Sequence, residues 1–199
     1  MRRLILLALL LAALPALGGC DPRPDQYRAA LRRLLNNDPV TAAALLTTLG
    51  ETGYAPAQFR LGLLYRLGLG VPRNARQAVY WFDKAARQGE VGAQYHLAMA
   101  YQQGDGAPRS PELAFHGFHR LAEQRYAPAQ YQIALAYEKG QGVKRDDPEA
   151  VAWLQRAATG GHAEAAQRLV RAYRNGELGL LPDPRQAQRW ERQLQPPRF

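Results

Sequence analysis

The chain has 199 residues, 47% of them hydrophobic and 22% charged, with a formal net charge of +9. That composition excludes collagen-like, low-complexity and wholly disordered chains, and one domain is the expectation. A single cysteine rules out an internal disulfide framework, and a chain of this length buries enough surface to fold without disulfide or metal staples.

Arg2 and Arg3 precede an apolar run over residues 4–17 that is followed by small residues, the layout of a secretory signal and short for a bilayer span. The run ends Leu17-Gly18-Gly19-Cys20, which resembles the lipobox of bacterial lipoproteins. The resemblance implies a signal peptide over residues 1–19, lipidation of Cys20, and a protein held at the membrane in the periplasm. Each buried methylene contributes about 0.8 kcal/mol, so several acyl chains anchor firmly where one binds marginally. Asp21 resembles the signal that retains enteric lipoproteins in the inner membrane, which favours the inner over the outer membrane. Export leaves 24 basic and 17 acidic residues in a compartment without nucleic acid, so DNA and RNA are not expected partners. Residues 20–25 read as a short lipidated tether, because two prolines in five positions disfavour helix.

Residues 26–54 read as a degenerate first pair of helices, over 27–36 and 38–50. From Ala55 onward the chain repeats itself every 36 residues. Ala55-Pro-Ala-Gln-Phe-Arg-Leu-Gly aligns with Val91-Gly-Ala-Gln-Tyr-His-Leu-Ala and Ala127-Pro-Ala-Gln-Tyr-Gln-Ile-Ala, and a fourth copy starts at Ala163. Apolar and small residues recur at helical spacing, as at Ala57, Leu61 and Tyr65. Gly68, Gly104, Gly140 and Gly176 follow the periodic residues as helix stops. Asp38, Asn74, Ser110, Asp146 and Asp183 then stand as N-caps of the second helices. An alanine column (Ala78, Ala114, Ala150, Ala187) and an aromatic one (Trp81, Trp153, Trp190) run through those helices. The Gly-x-Gly connections read as turns, because no strand precedes them and no dinucleotide fingerprint is completed.

The pattern Ala-x-Ala-Gln-x-x-Leu-Gly-x-x-Tyr-x-x-Gly-x-Gly-Val, a cap, then Ala-x-x-Trp and Lys-Ala-Ala-x-x-Gly is similar to the Sel1-like repeat, a relative of the tetratricopeptide repeat. Copies fall at residues 55–90, 91–126 and 127–162, with a divergent last repeat and polar cap over 163–199. The second copy departs, with Gly117 for tryptophan and Arg125 for the closing glycine, and looser helix packing is expected there. The resemblance implies an all-α fold: a right-handed α-solenoid of stacked antiparallel helix pairs, about ten helices in five pairs, whose first helices line the concave side.

On such a solenoid the face opposite the core stripe carries repeat positions two, five, nine and twelve, and the last three supply the expected partner contacts. In the first three copies these are Phe59, Leu63 and Arg66; Tyr95, Met99 and Gln102; and Tyr131, Leu135 and Glu138. Arg60 and His96 flank the apolar ones together with Arg66 and Gln102, and apolar pockets with polar rims suit capture of a partner peptide. Position five lies at the edge of the buried stripe, so its aromatic residues read either as groove wall or as helix-to-helix contact.

Candidates for catalysis are few. Ser110, the only serine, reads as a cap, and Cys20 as the lipid site. His116 and His119 lie three apart on a predicted helix near Glu112 and Glu123; two histidines without a third ligand read as surface residues, so neither metal nor cofactor is expected. Some cysteine-rich relatives of the repeat are linked to β-lactam or peptidoglycan chemistry, but they carry paired cysteines that this chain lacks. The expected function is a non-enzymatic adaptor for an envelope protein. The alternative is a peptidoglycan- or exopolysaccharide-associated assembly or export factor, with a cell-wall enzyme as the remotest reading. Seven arginines between Arg168 and Arg198 make the end of the chain basic, a face for solvent or for contact with anionic lipid or a cell-wall polymer.

Overall fold

The structure is a computed structural model and describes residues 21–194. The signal segment and Cys20 lie outside the described residues. Ten α-helices are present among those described: α1 (Arg23–Leu35), α2 (Pro39–Glu51), α3 (Ala55–Leu67), α4 (Ala75–Arg87), α5 (Val91–Gln103), α6 (Pro111–Glu123), α7 (Ala127–Lys139), α8 (Asp147–Thr159), α9 (Ala163–Asn175) and α10 (Pro184–Leu194). Each packs chiefly on its neighbours in sequence, α1 on α2 through to α9 on α10. The result is a stack of five helix pairs.

The helices start and stop where short-range chemistry places them. The five cap residues each accept a backbone N–H from the first turn: Asp38 from Thr41 at 3.2 Å, Asn74 from Gln77 at 3.1 Å, Ser110 from Leu113 at 3.2 Å, Asp146 from Glu149 at 3.0 Å and Asp183 from Gln186 at 3.1 Å. Such a cap contributes about 1 kcal/mol. The cap residue also closes the preceding loop. The N–H groups of Asn74, Ser110, Asp146 and Asp183 donate to the carbonyls of Tyr65, Tyr101, Tyr137 and Tyr173 at 2.8–3.1 Å. Before each such loop the first helix ends on a left-handed glycine, with φ between 65° and 74°.

The second glycine of each Gly-x-Gly turn answers to a different constraint. A β-carbon on Gly106 would lie 2.2 Å from the Ala75 carbonyl oxygen, one on Gly70 2.0 Å from that of Pro39, and one on Gly142 2.1 Å from that of Pro111. The loops of the first three repeats therefore sit backbone to backbone against the first turn of the second helix before them. Only glycine permits that approach, and its φ of 80° at Gly106 is open to glycine as well.

The core is distributed along the stack. Ala30, Leu46, Leu61 and Trp81 close one cluster across α1 to α4; Ala78, Phe82, Ala85 and Ala93 a second; Phe118, Ile133, Leu154, Leu169 and Trp190 belong to a third that runs to α10. Small residues at repeat position eight, Gly62, Ala98 and Ala134, let the paired helices approach.

Two expectations change. Helix α1 begins at Arg23 rather than near Tyr27, so the tether keeps only its first residues. Prolines are tolerated in a first turn because their missing N–H has no partner there, and the Asp21 carboxylate accepts the Arg23 N–H at 3.0 Å. In the second repeat the helices are not uniformly looser. A β-carbon on Gly117 would lie 2.9 Å from that of Ala98, so α5 and α6 approach closely at this level and leave a cleft beside it. Arg125 takes the left-handed conformation (φ 63°) of the glycine it replaces.

Gly106→Ala is expected to lower stability by more than about 2 kcal/mol, since strain and backbone overlap add. Gly89→Ala, at φ 88° with nothing within 4 Å, carries the strain alone and costs about 1–2 kcal/mol. Urea unfolding of the two variants compares them.

Candidate functional site

The nine residues expected on the partner-binding face occupy α3, α5 and α7, and all nine are half-buried. The aromatic ones lie across the seams between repeats. Phe59 sits 6.1 Å from Phe82 and 5.7 Å from His96 between ring centroids, and covers Gly92, where a β-carbon would come within 2.6 Å of it. Tyr95 lies 5.4 Å from Phe118 and 5.7 Å from Tyr126, and Tyr131 stacks on His162 at 4.5 Å. Each ring therefore seals a seam with part of its surface and leaves the rest open. Leu63 and Met99 also pack against core clusters, whereas Leu135 does not and stands on the face itself.

Position twelve makes a ladder. Arg66 Nη1 donates to His96 Nδ1 at 3.1 Å, and Gln102 Nε2 to Gln132 Oε1 at 3.3 Å. Arg168 donates to both oxygens of Glu138, at 2.7 and 3.3 Å. In every rung the partner stands 30 residues later, at position six of the next repeat, so α3, α5, α7 and α9 are joined side to side. Of the position-six column, Arg60 and His96 were expected to flank the groove, whereas Gln132 and Arg168 did not figure in the expected site. Its signal was a polar residue in every copy, beside an aromatic one in the first three.

The rungs differ in charge. Burial of His96 between Phe59 and Phe82, with the Arg66 guanidinium beside it, lowers its pKa from 6.5 to about 4, so the ring is neutral at physiological pH and accepts from Arg66. Arg66 therefore keeps an uncompensated charge, and the Nε atoms of Arg60 and Arg66 are buried without hydrogen-bond partners. At the other end Arg168, 10% exposed, is held by Glu138 and by Glu177 at 2.7 Å. Burial opposes its charge, and the bonds to Glu138 and Glu177 outweigh that and raise its pKa. The Glu177 carboxyl is lowered, first by the Asn175 amide and then by Arg168 and Arg171. Glu138 is thus committed to the ladder rather than free in a groove.

The same pairing reduces the basic end. Arg168 and Arg171 bond Glu177, and Arg174 bonds Glu191, which leaves Arg185, Arg189 and Arg192 exposed along α10. His119 pairs with Glu123 at 3.6 Å and packs on Phe115 and Trp153, while His116 meets another side of the Phe115 ring. Among the described residues no three His, Cys, Asp or Glu side chains converge as a metal site, and no helix is long and apolar enough to cross a membrane.

Four Sel1 repeats match the sequence, at residues 55–90, 91–126, 127–162 and 163–190. The chain belongs to the Sel1 repeat family. Sel1 repeat solenoids are in general non-enzymatic scaffolds for protein–protein interaction. The fold is similar to that of a Sel1 repeat protein from Oxalobacter formigenes, with a TM-score of 0.78 and 29% identity over 86% of this chain and 72% of that one. It is similar as well to a protective antigen of uropathogenic Escherichia coli displaying an SLR fold, with a TM-score of 0.79 and 28% identity over 86% of this chain. This chain spans 38% of the length of that antigen. No curated protein sequence matches.

The His96 rung gives the Sel1 array a pH dependence of definite sign. Between pH 6.5 and about 4 the unfolded chain holds a proton on this ring that the folded chain does not, so acidification through that window lowers stability. Comparing the urea midpoints of the wild type and His96→Gln at pH 7.5 and 4.5 should show a smaller loss in the variant.

Proposed function

We propose that this Sel1 repeat protein is a non-enzymatic adaptor, lipid-anchored through Cys20 at the bacterial envelope, that captures an extended segment of an envelope protein on the joined face of α3, α5, α7 and α9. The observation that carries the reading is the ladder. Three rungs turn four separate helices into one surface, on which half-buried Phe59, Tyr95, Met99, Tyr131 and Leu135 offer apolar contact at the spacing of the repeat. The uncompensated charge at Arg60 and Arg66 favours a segment with a carboxylate over α3, and the balanced Glu138–Arg168 rung favours a neutral one farther along. The anchor confines the site to the membrane surface and so raises its effective concentration toward partners held there.

Leu135→Glu is the discriminating variant, since Leu135 packs on no core cluster. The urea midpoint should move by less than about 0.5 kcal/mol equivalent, while crosslinking to the protein partner in membranes should fall at least about tenfold, the effect of losing roughly 1.4 kcal/mol. Undiminished crosslinking, or recovery with purified cell wall and no protein, overturns the reading of this face. Cys20→Ala should release the protein from the membrane fraction; an unchanged membrane pool overturns the anchor.

A further inference from the structure

Trp81, Gly117, Trp153 and Trp190 hold one position in four successive second helices. Where tryptophan is present it packs back on the preceding repeat. Trp81 ring atoms lie 3.2 and 3.6 Å from where a β-carbon on Gly50 would stand, and the Gly50 carbonyl there accepts from Gln58 Nε2 at 2.9 Å. One repeat later the same two positions are Ala86 and Gln94, joined by the same bond at 3.1 Å. In place of an indole, Gly117 opens a cleft of about 270 Å³ over them, walled by Leu97, Tyr101 and Leu113. The loss of the ring is visible in the floor: Gln58 and Gln130 are 3% and 5% exposed, whereas Gln94 is half-buried. Close approach of α5 and α6 at Ala98 and Gly117 has not filled the space.

A second column runs beside the first. Three residues after Trp81 and Trp153 stands a cation over the ring, Lys84 at 5.3 Å from Trp81 and Arg156 at 4.3 Å from Trp153, whereas Trp190 is followed there by Gln193. Arg120 holds that place in α6, exposed at the cleft, with no ring at position 117 beneath it. The cleft thus keeps the floor and the cation of a tryptophan site and lacks only the tryptophan. Its lining includes His116 and Arg120 and no carboxylate, and Leu113, 52% exposed, forms an apolar lip.

We infer that this cleft receives a tryptophan side chain from an acidic segment of a partner protein. The indole completes the column that Trp81 and Trp153 fill from within, Arg120 lies over its face, and carboxylates on either side meet Arg120 and His116. The site is separate from the ladder face: Gln94, Leu97, Ala98 and Tyr101 are positions four, seven, eight and eleven of α5, turned away from Tyr95, Met99 and Gln102. A partner engaged on one face therefore leaves the other available.

The test is calorimetric titration of the full chain with the capped peptide Asp-Glu-Trp-Glu-Asp and its Trp-to-Ala counterpart. The tryptophan peptide should bind at least about tenfold more tightly. Arg120→Gln should weaken it about fivefold, within the range of a cation–π contact, and Arg120→Lys should restore it, as Lys84 serves Trp81. The double change Ala98→Gly with Gly117→Trp supplies the ring from within, the glycine removing the Ala98 β-carbon that would stand 2.9 Å from that of residue 117, and should abolish binding while circular dichroism keeps its helical signal. Equal binding of the two peptides overturns the inference. So does wild-type affinity in a folded double variant, or a concentration-dependent dimer that the Gly117 change dissolves, which would assign the cleft to a second copy. If the double variant fails to fold, the Arg120 pair decides, because that side chain is exposed and borders the cleft only at its rim.

Discussion

A carbonyl oxygen in the first turn of each of α2, α4 and α6 occupies the place a β-carbon would need on the next loop, at Pro39 against Gly70, Ala75 against Gly106 and Pro111 against Gly142. This backbone contact sets how far one repeat stands from the next. All the side-chain arrangements along the stack depend on that spacing. It holds the tryptophan column on the preceding repeat, brings the position-five aromatics over the seams, and brings position twelve within hydrogen-bonding reach of position six. A helix pair with its apolar face uncovered is not stable alone, so the contact that fixes the spacing also makes the array cohere.

Polar groups gather at the seams for the same reason. Where two repeats meet, the last carbonyls of the preceding second helix lose access to water and need donors. Gln58, Gln94 and Gln130 supply them, each to a carbonyl eight residues earlier. The ladder at position six does this among side chains, and its chemistry changes from rung to rung: cation to neutral imidazole, amide to amide, carboxylate to guanidinium. A surface uniform in shape is thereby graded in charge, which is how a regular repeat acquires direction for an asymmetric ligand.

The second repeat shows what happens when one column is interrupted while its neighbours persist. Gly117 removes the indole, yet Ala86, Gln94 and Arg120 remain as they would be around one. In a compact single-core domain the gap would be shared among many neighbours. A stack relaxes only along one direction, and the backbone contacts at the loop glycines resist even that, so the space persists as a local cleft.

From the sequence alone, the period, the ten helices, their caps and their glycine stops were legible, because each depends on residues within one or two turns of one another. The columns of the expected face were legible as a pattern of recurring residues, because each recurs at the repeat period. The extension of α1 back to Arg23 was not, since proline reads as a breaker until its place in a first turn is known. The tertiary structure alone decided that Phe59, Tyr95 and Tyr131 lie across the seams and stay half-buried there, that Glu138 is bound to Arg168, and that Gly117 leaves a cleft beside close-packed helices. These are contacts between residues some 20 to 40 positions apart, governed by how one repeat settles on the next, and a one-dimensional pattern records which residues recur without recording which of them meet.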